Sequence, residues 1–169
     1  MKKLVLVVAT VALMVSACQS ASEQLTEQIL EQQDGVSNVE FDADSGQVSL
    51  ETDDGSISIG GGDIPSGFAI PFLDGYEVVS VFDSDSDTAV TVTYAGDRYD
   101  EIVAFYQDWT SGQPGEWNYA SNVFDSADGQ TIRSTSWLQD GTQVGATDCP
   151  SFDTEGEYQV CVSAVVEEG

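Results

Sequence analysis

The chain has 169 residues, of which 30 are acidic, four are basic and none is histidine. This length allows one ordinary domain with at most a small appendage, and a hydrophobic content of 41% is enough for a packed core. A formal charge of -26 argues against a nucleic-acid-binding protein, because contacts to phosphate need clustered lysine and arginine. The lack of histidine removes Ser-His-Asp and Cys-His nucleophiles and the commonest metal ligand, so we expect a protein that is not an enzyme.

Residues 1–17 have the layout of a lipoprotein signal peptide. Lys2 and Lys3 give a positive start, and residues 4–15 form an almost wholly apolar run that is too short to span a membrane. The ending Val-Ser-Ala-Cys at residues 15–18 resembles a bacterial lipobox, which implies cleavage before Cys18 and lipid attachment to its sulfur. A plain signal peptide with a chance cysteine, or a buried N-terminal helix, are the alternatives.

Cleavage before Cys18 makes the chain still more acidic. It removes both lysines, so that Arg98 and Arg133 alone face 30 carboxylates, a formal charge of -28. The two other cysteines, Cys149 and Cys161, are twelve residues apart, and in an oxidising compartment such a pair is expected to form a structural disulfide. We therefore expect a cell-envelope protein on the extracytoplasmic side of a bacterial membrane.

Three segments follow the signal peptide. Residues 18–35 are interpreted as a lipid-anchored tether with a short amphipathic helix. Residues 36–63 carry a nine-residue repeat of alternating apolar residues closed by Asp and Gly, which predicts a small three-stranded β-meander ending in a Gly-rich boundary. Residues 64–169 are predicted to form an α+β domain, in which a proline-containing strap at residues 64–76 precedes the first strand.

The α+β domain is predicted as an antiparallel sheet with one packed helix. Apolar residues recur at steps of three and four from Tyr99 to Trp109, which indicates a helix that Asp97 can cap and that ends before Gly112. About five strands are predicted, at residues 77–82, 89–94, 117–124, 131–138 and 157–166. One helix against such a sheet is a two-layer arrangement.

The chain resembles a group of uncharacterised bacterial lipoproteins in three features. They are the acidic repeat, the Gly-Gly-Asp-Ile-Pro-x-Gly-Phe-x-Ile-Pro motif at residues 61–71, and the helix at residues 101–106 leading to Gly-Glu-Trp at 115–117. The likeness covers most of the chain after the signal peptide. It implies an envelope location and supplies no activity, cofactor or catalytic residue.

A turn between two predicted strands carries a weak candidate metal site. Asp83, Asp85 and Asp87 have the spacing of the first three ligands of an EF-hand loop. Thr88 and Tyr94 stand where that loop needs glycine and a bidentate glutamate, so the turn is not an EF-hand. We weigh a weak Ca²⁺ site against a solvated acidic hairpin and favour the hairpin.

Aromatic residues provide a weak candidate for ligand binding. Five aromatic side chains could form a platform on which sugar rings stack: Trp109, Trp117, Trp137, Tyr106 and Tyr119. For Trp109 and Tyr106, which lie on the predicted helix, packing in the core is the simpler role. Trp137 shares a strand face with Arg133 and is expected to be exposed. A concave pocket lined by Trp137 or Tyr119 would favour ligand binding, and a closed core would favour an interaction module.

The acidity has two interpretations. A surface of Asp and Glu without Lys is typical of proteins from salt-loving organisms, and it also attracts cationic peptides or other envelope proteins. The sequence thus predicts a lipid-anchored structural or interaction module adapted to high salt, with a small-ligand or Ca²⁺-binding lipoprotein as the alternative.

The lipobox interpretation predicts that Cys18→Ser abolishes lipid attachment. The variant is expected to accumulate as an uncleaved precursor or to be released as a soluble form, which fractionation and mass spectrometry of the expressed protein would detect. Normal membrane retention of the variant, at an unchanged mature mass, would contradict the prediction.

Overall fold

The computed structural model describes residues 36–42, 46–125, 129–150 and 158–167. These residues form nine strands and one helix. In chain order they are β1 (Val36–Phe41), β2 (Val48–Thr52), β3 (Gly55–Ile59), β4 (Glu77–Ser84), β5 (Asp87–Tyr94), α1 (Tyr99–Ser111), β6 (Asn118–Asp125), β7 (Thr131–Gln139), β8 (Thr142–Pro150) and β9 (Tyr158–Glu167).

All nine strands belong to one antiparallel sheet in the order β1-β2-β3-β4-β5-β9-β8-β7-β6. Strand β9, the last of the described strands, lies in the interior of the sheet, where it pairs with β5 on one side and β8 on the other. The coarse prediction of an antiparallel sheet with one helix is confirmed. The sheet is larger than the five strands predicted for the α+β domain.

Strands β1, β2 and β3 pair in sequence and continue directly into the rest of the sheet, so a separate small meander is not confirmed. Strand β3 pairs with β4 from Gly55 opposite Ser84 to Ile59 opposite Ser80. The backbone ladder is therefore continuous across the predicted boundary at residues 60–63. The division into domains stays a prediction, and the helix predicted within residues 18–35 lies outside the described residues.

Strand β8 is absent from the predicted set. Its sequence, Thr-Gln-Val-Gly-Ala-Thr-Asp-Cys-Pro, holds glycine, aspartate and proline, all of which are depleted in strands. Among residues 142–149 of this strand, whose burial the structure describes, the buried apolar residues are Val144 and Ala146. Tertiary pairing with β7 and β9 on both sides overrides the weak local preference.

The main core lies between α1 and one face of the sheet. The helix buries Tyr99, Ile102, Tyr106 and Thr110, which recur at the predicted steps of three and four. These side chains pack on fully buried residues of the central strands, among them Val92. The strap contributes Ile70 to this core, and the Tyr106 hydroxyl donates to the Pro71 carbonyl oxygen at 3.0 Å.

A second apolar cluster occupies the opposite face of the sheet. Val81 faces the main core, so its neighbour Phe82 points the other way, and Ile57 lies directly across from Phe82. Phe82 packs against this second cluster, whose buried members are Val39, Val48, Leu50 and Ile57. Strand β4 thus packs apolar side chains on both faces of the sheet, whereas the buried apolar residues of β1–β3 belong to the second cluster.

The structure brings Cys149 and Cys161 together on the adjacent strands β8 and β9. They are bonded as a disulfide with a Cα–Cα distance of 5.8 Å, within the range that a disulfide requires. This geometry is compatible with the disulfide predicted from the sequence.

Candidate functional site

An open cleft of about 360 Å³ lies between the C-terminal part of α1 and strands β6 and β7. Its wall consists of three aromatic residues, two glutamines, two hydroxyl residues and one glycine. None of these eight residues is charged, although 30 of the 169 residues of the chain are acidic. The cleft is therefore an uncharged surface on a strongly acidic protein.

Local structure at the end of α1 shapes this cleft. The helix ends at Ser111, and the turn that follows includes Gly115, which has a φ of 93°. A Cβ at Gly115 would meet the side-chain amide of Gln139, which donates to the Pro114 carbonyl oxygen at 2.7 Å. The left-handed backbone at this position favours glycine, and a larger residue would also displace the Gln139 amide.

Tyr119 and Trp137 meet in the cleft, as directly opposite residues of β6 and β7. Their ring centroids are 5.8 Å apart and the rings are tilted. Tyr119 is 52% exposed, whereas Trp137 is only 2% exposed. The prediction that Trp137 is exposed is wrong, because Tyr106 of the helix packs onto its ring at 5.6 Å.

Trp117 forms another wall of the cleft. Its ring packs edge-on against Trp109 of the helix, with centroids 5.3 Å apart. Its indole N–H is buried, and no acceptor for it is found within the described part of the chain. Leaving a buried donor unpaired costs about 1–3 kcal/mol, so this position is unusual in a folded protein.

The helix contributes polar residues to the cleft that no sequence motif singles out. Gln107 and Thr110 follow Tyr106 by one and four residues, and Gln113 lies just after the helix. Only the turn geometry brings them beside Trp117 and Tyr119. Residues of these types are common on any helix surface, so their composition alone carries no signal for a site.

The hairpin with the candidate calcium ligands is held by its own hydrogen bonds. Thr88 donates to Asp83 at 2.8 Å, and the Ser86 hydroxyl donates to Asp87 at 2.7 Å. The Ser84 hydroxyl oxygen accepts from the Asp87 backbone N–H at 3.0 Å. Among the described residues no group of three or more His, Cys, Asp or Glu is placed to hold a metal ion. The calcium interpretation involving Asp85 stays a prediction.

Arg133 of β7 lies near the start of α1 and joins three elements. Its Nε donates to Asp148 of β8 at 2.8 Å, and an Nη donates to Asp97 at 2.6 Å. The guanidinium lies 4.4 Å from the centre of the Tyr99 ring. The hydrogen bond from Arg133 lowers the pKa of Asp97, and the bonds to Asp148 and Asp97 raise the pKa of Arg133.

The N-cap position of α1 is held by Arg98 and not by Asp97, the residue predicted to cap the helix. Arg98 donates to the Glu101 carboxylate at 2.8 Å and to the Asp74 carbonyl oxygen at 2.9 Å. It also lies 5.2 Å from the centre of the Tyr94 ring. Burial raises the pKa of Tyr94 to about 12. Both arginines thus bind carboxylates and lie over tyrosine rings around the first turn of α1.

Strand β6 forms one edge of the sheet and is exposed along its whole length. Three large apolar or aromatic side chains stand out on it: Tyr119, Val123 and Phe124, at 52%, 68% and 53% exposure. Residues 118–124 carry no charge, and residues 129–139 carry only Arg133. An open edge with apolar side chains can pair with another strand.

No family model matches the chain, and neither the curated proteins nor the solved structures contain a match. The resemblance to uncharacterised bacterial lipoproteins therefore stays a prediction. The described residues include no helix that is both long and apolar enough to cross a membrane.

The two arginines offer a matched pair of variants. Arg133→Gln is expected to lower the free energy of unfolding by about 1–3 kcal/mol, because it leaves the Asp148 side chain, which is 8% exposed, without its cation. Arg98→Gln should cost less, because its partner Glu101 is mostly solvated. Urea unfolding at one fixed salt concentration measures both, and an equal or larger loss for Arg98→Gln would contradict this assignment.

Proposed function

We propose that the chain is a lipid-anchored, non-catalytic interaction module on the extracytoplasmic side of a bacterial envelope. The observation that carries this proposal is the open β6 edge, which is exposed on every residue and uncharged from position 118 to 124. The lipid on Cys18 would hold the module at the membrane, and the acidic remainder of the surface would keep it soluble in a salty medium.

The chemistry of β6 favours a partner that adds a strand. Main-chain groups of an edge strand supply the hydrogen bonds in this mode, and alternate side chains supply specificity. Val123 and Phe124 would cover apolar side chains of the partner, on opposite faces of the added strand. An envelope protein or a cationic peptide fits this site, since the surrounding carboxylates attract positive charge while the edge itself opposes neither sign.

A second candidate function is the binding of a small ligand. It is favoured by the cleft that Tyr119 and Trp137 line, which is the kind of concave pocket that distinguishes a ligand-binding protein from a purely structural module. The two surfaces adjoin at Tyr119, but Val123 and Phe124 lie beyond the cleft, so substitutions there separate the two functions.

Photo-crosslinking of the lipidated protein in its native envelope tests the interaction proposal. A photoreactive amino acid at position 123 is expected to give a discrete adduct, whereas one at Glu40 on β1, the opposite edge of the sheet, should not. Adding Phe124→Asp should reduce the position-123 adduct several-fold, because the new charge would have to be buried against the partner. Adducts that are equal at positions 123 and 40, that resist Phe124→Asp, or that are absent at 123 would contradict the proposal.

A further inference from the structure

We infer that the cleft beside the end of α1 binds a neutral, hydroxyl-rich ligand, namely a sugar ring of an uncharged glycan. This inference rests on the small-ligand function and names its ligand class. It draws on three properties of the cleft: the lack of charge, the exposed aromatic face and the unused amide groups.

The lack of charge selects against ions. An anion would approach a protein with a formal charge of -26 against long-range repulsion, and it would meet no arginine in the cleft. A cation would be attracted more strongly to the carboxylates elsewhere on the surface than to a wall of glutamine, hydroxyl and aromatic side chains. A neutral ligand is neither repelled by the negative charge of the protein nor drawn away from the cleft to carboxylates elsewhere on the surface.

The aromatic residues supply a surface for stacking. The ring of Tyr119 is half exposed, and the buried Trp137 ring supports it from below at 5.8 Å. The apolar C–H faces of a sugar ring pack on such a surface, while its hydroxyls stay at the periphery. Because Trp137 is fixed by the core, the position of Tyr119 is constrained before a ligand arrives.

The polar residues match the hydroxyls of a sugar. No hydrogen bond joins the side-chain amides of Gln107 or Gln113 to another described residue, so each offers both donors and an acceptor. Thr110 and Ser111 already donate their hydroxyl protons to helix carbonyls, at 2.8 and 2.7 Å, which leaves their oxygens as acceptors. Sugar hydroxyls donate and accept, and therefore fit this mixed set.

The buried indole N–H of Trp117 adds one further reason. It is a donor without an acceptor in the described part of the chain. A sugar hydroxyl oxygen that reached it would satisfy a group that the described residues leave unpaired. The volume of about 360 Å³ is at the small end of ligand sites, which suits one or two sugar rings bound weakly.

The test is a titration of the lipidated, ¹⁵N-labelled mature protein in a zwitterionic detergent. The probes are two neutral trisaccharides, of glucose and of N-acetylglucosamine, together with hexalysine and an uncharged N-acetyl amino-acid amide. The readout is the indole ¹H–¹⁵N signal of each tryptophan. We expect at least one trisaccharide to shift the Trp117 signal saturably, and hexalysine to leave it unchanged.

A matched pair of variants locates the binding. Tyr119→Ala should weaken the trisaccharide response at least several-fold, whereas Phe124→Ala, which removes a ring of equal exposure from the same strand, should preserve it. The Trp109 and Trp137 signals report that each variant remains folded. Should Tyr119→Ala fail to fold, Gln113→Ala replaces it and is expected to weaken the same response.

The remaining outcomes overturn the inference in distinguishable ways. A saturable shift with the N-acetyl amide and none with the trisaccharides would reject the sugar while keeping the small-ligand function. A shift with hexalysine alone would reassign the cleft to a cationic peptide. No saturable shift with any probe would reject both the sugar and the small-ligand function, and equal responses in Tyr119→Ala and Phe124→Ala would place the binding elsewhere.

Discussion

Repulsion among carboxylates is the constraint on which the rest of this structure depends. The chain has 30 acidic residues and, beyond its first three positions, only two basic ones. Both of these arginines lie around the first turn of α1: Arg98 ties the helix to the strap, and Arg133 ties the loop before the helix to β8. The scarce positive charge is thus used where the single helix of the described chain joins the sheet. Elsewhere the fold relies on apolar packing and on the ladder of the nine-stranded sheet.

The same constraint explains the contrast between surfaces. Acidic residues on the solvent-exposed surface are screened by water and salt. An acidic surface does, however, repel a negatively charged partner or ligand. The uncharged cleft and the β6 edge, which is uncharged over residues 118–124, are adjacent and share Tyr119. Both proposed recognition surfaces therefore consist mainly of uncharged residues.

Local sequence patterns predict the amphipathic strands and the helix. Tertiary contacts determine the weakly patterned strand β8, the burial of Trp137 and the lining of the cleft. Alternation over β5 and the helical spacing from Tyr99 onward identify strongly amphipathic elements. Strand β8 escapes prediction because its partners, and not its own residues, hold it in the sheet. Periodicity places Trp137 beside Arg133 but does not show that Tyr106 covers it, so its burial is not predictable from spacing. The cleft forms because the turn after α1 places Gln107 and Gln113 beside Tyr119 of β6. The spacing of these residues along the chain does not predict this proximity.

The measurement that tests the role of repulsion most directly is a thermal melting series in NaCl and KCl. The Debye length falls from about 30 Å at 0.01 M salt to about 3 Å at 1 M, so long-range repulsion is removed across this range. We predict that the melting temperature rises steadily and to the same extent in both salts. A melting temperature indifferent to salt would contradict the account. A calcium increment that persists in high salt, exceeds that of magnesium at matched ionic strength and disappears in Asp85→Asn would instead overturn the preference for a solvated acidic hairpin at residues 83–87.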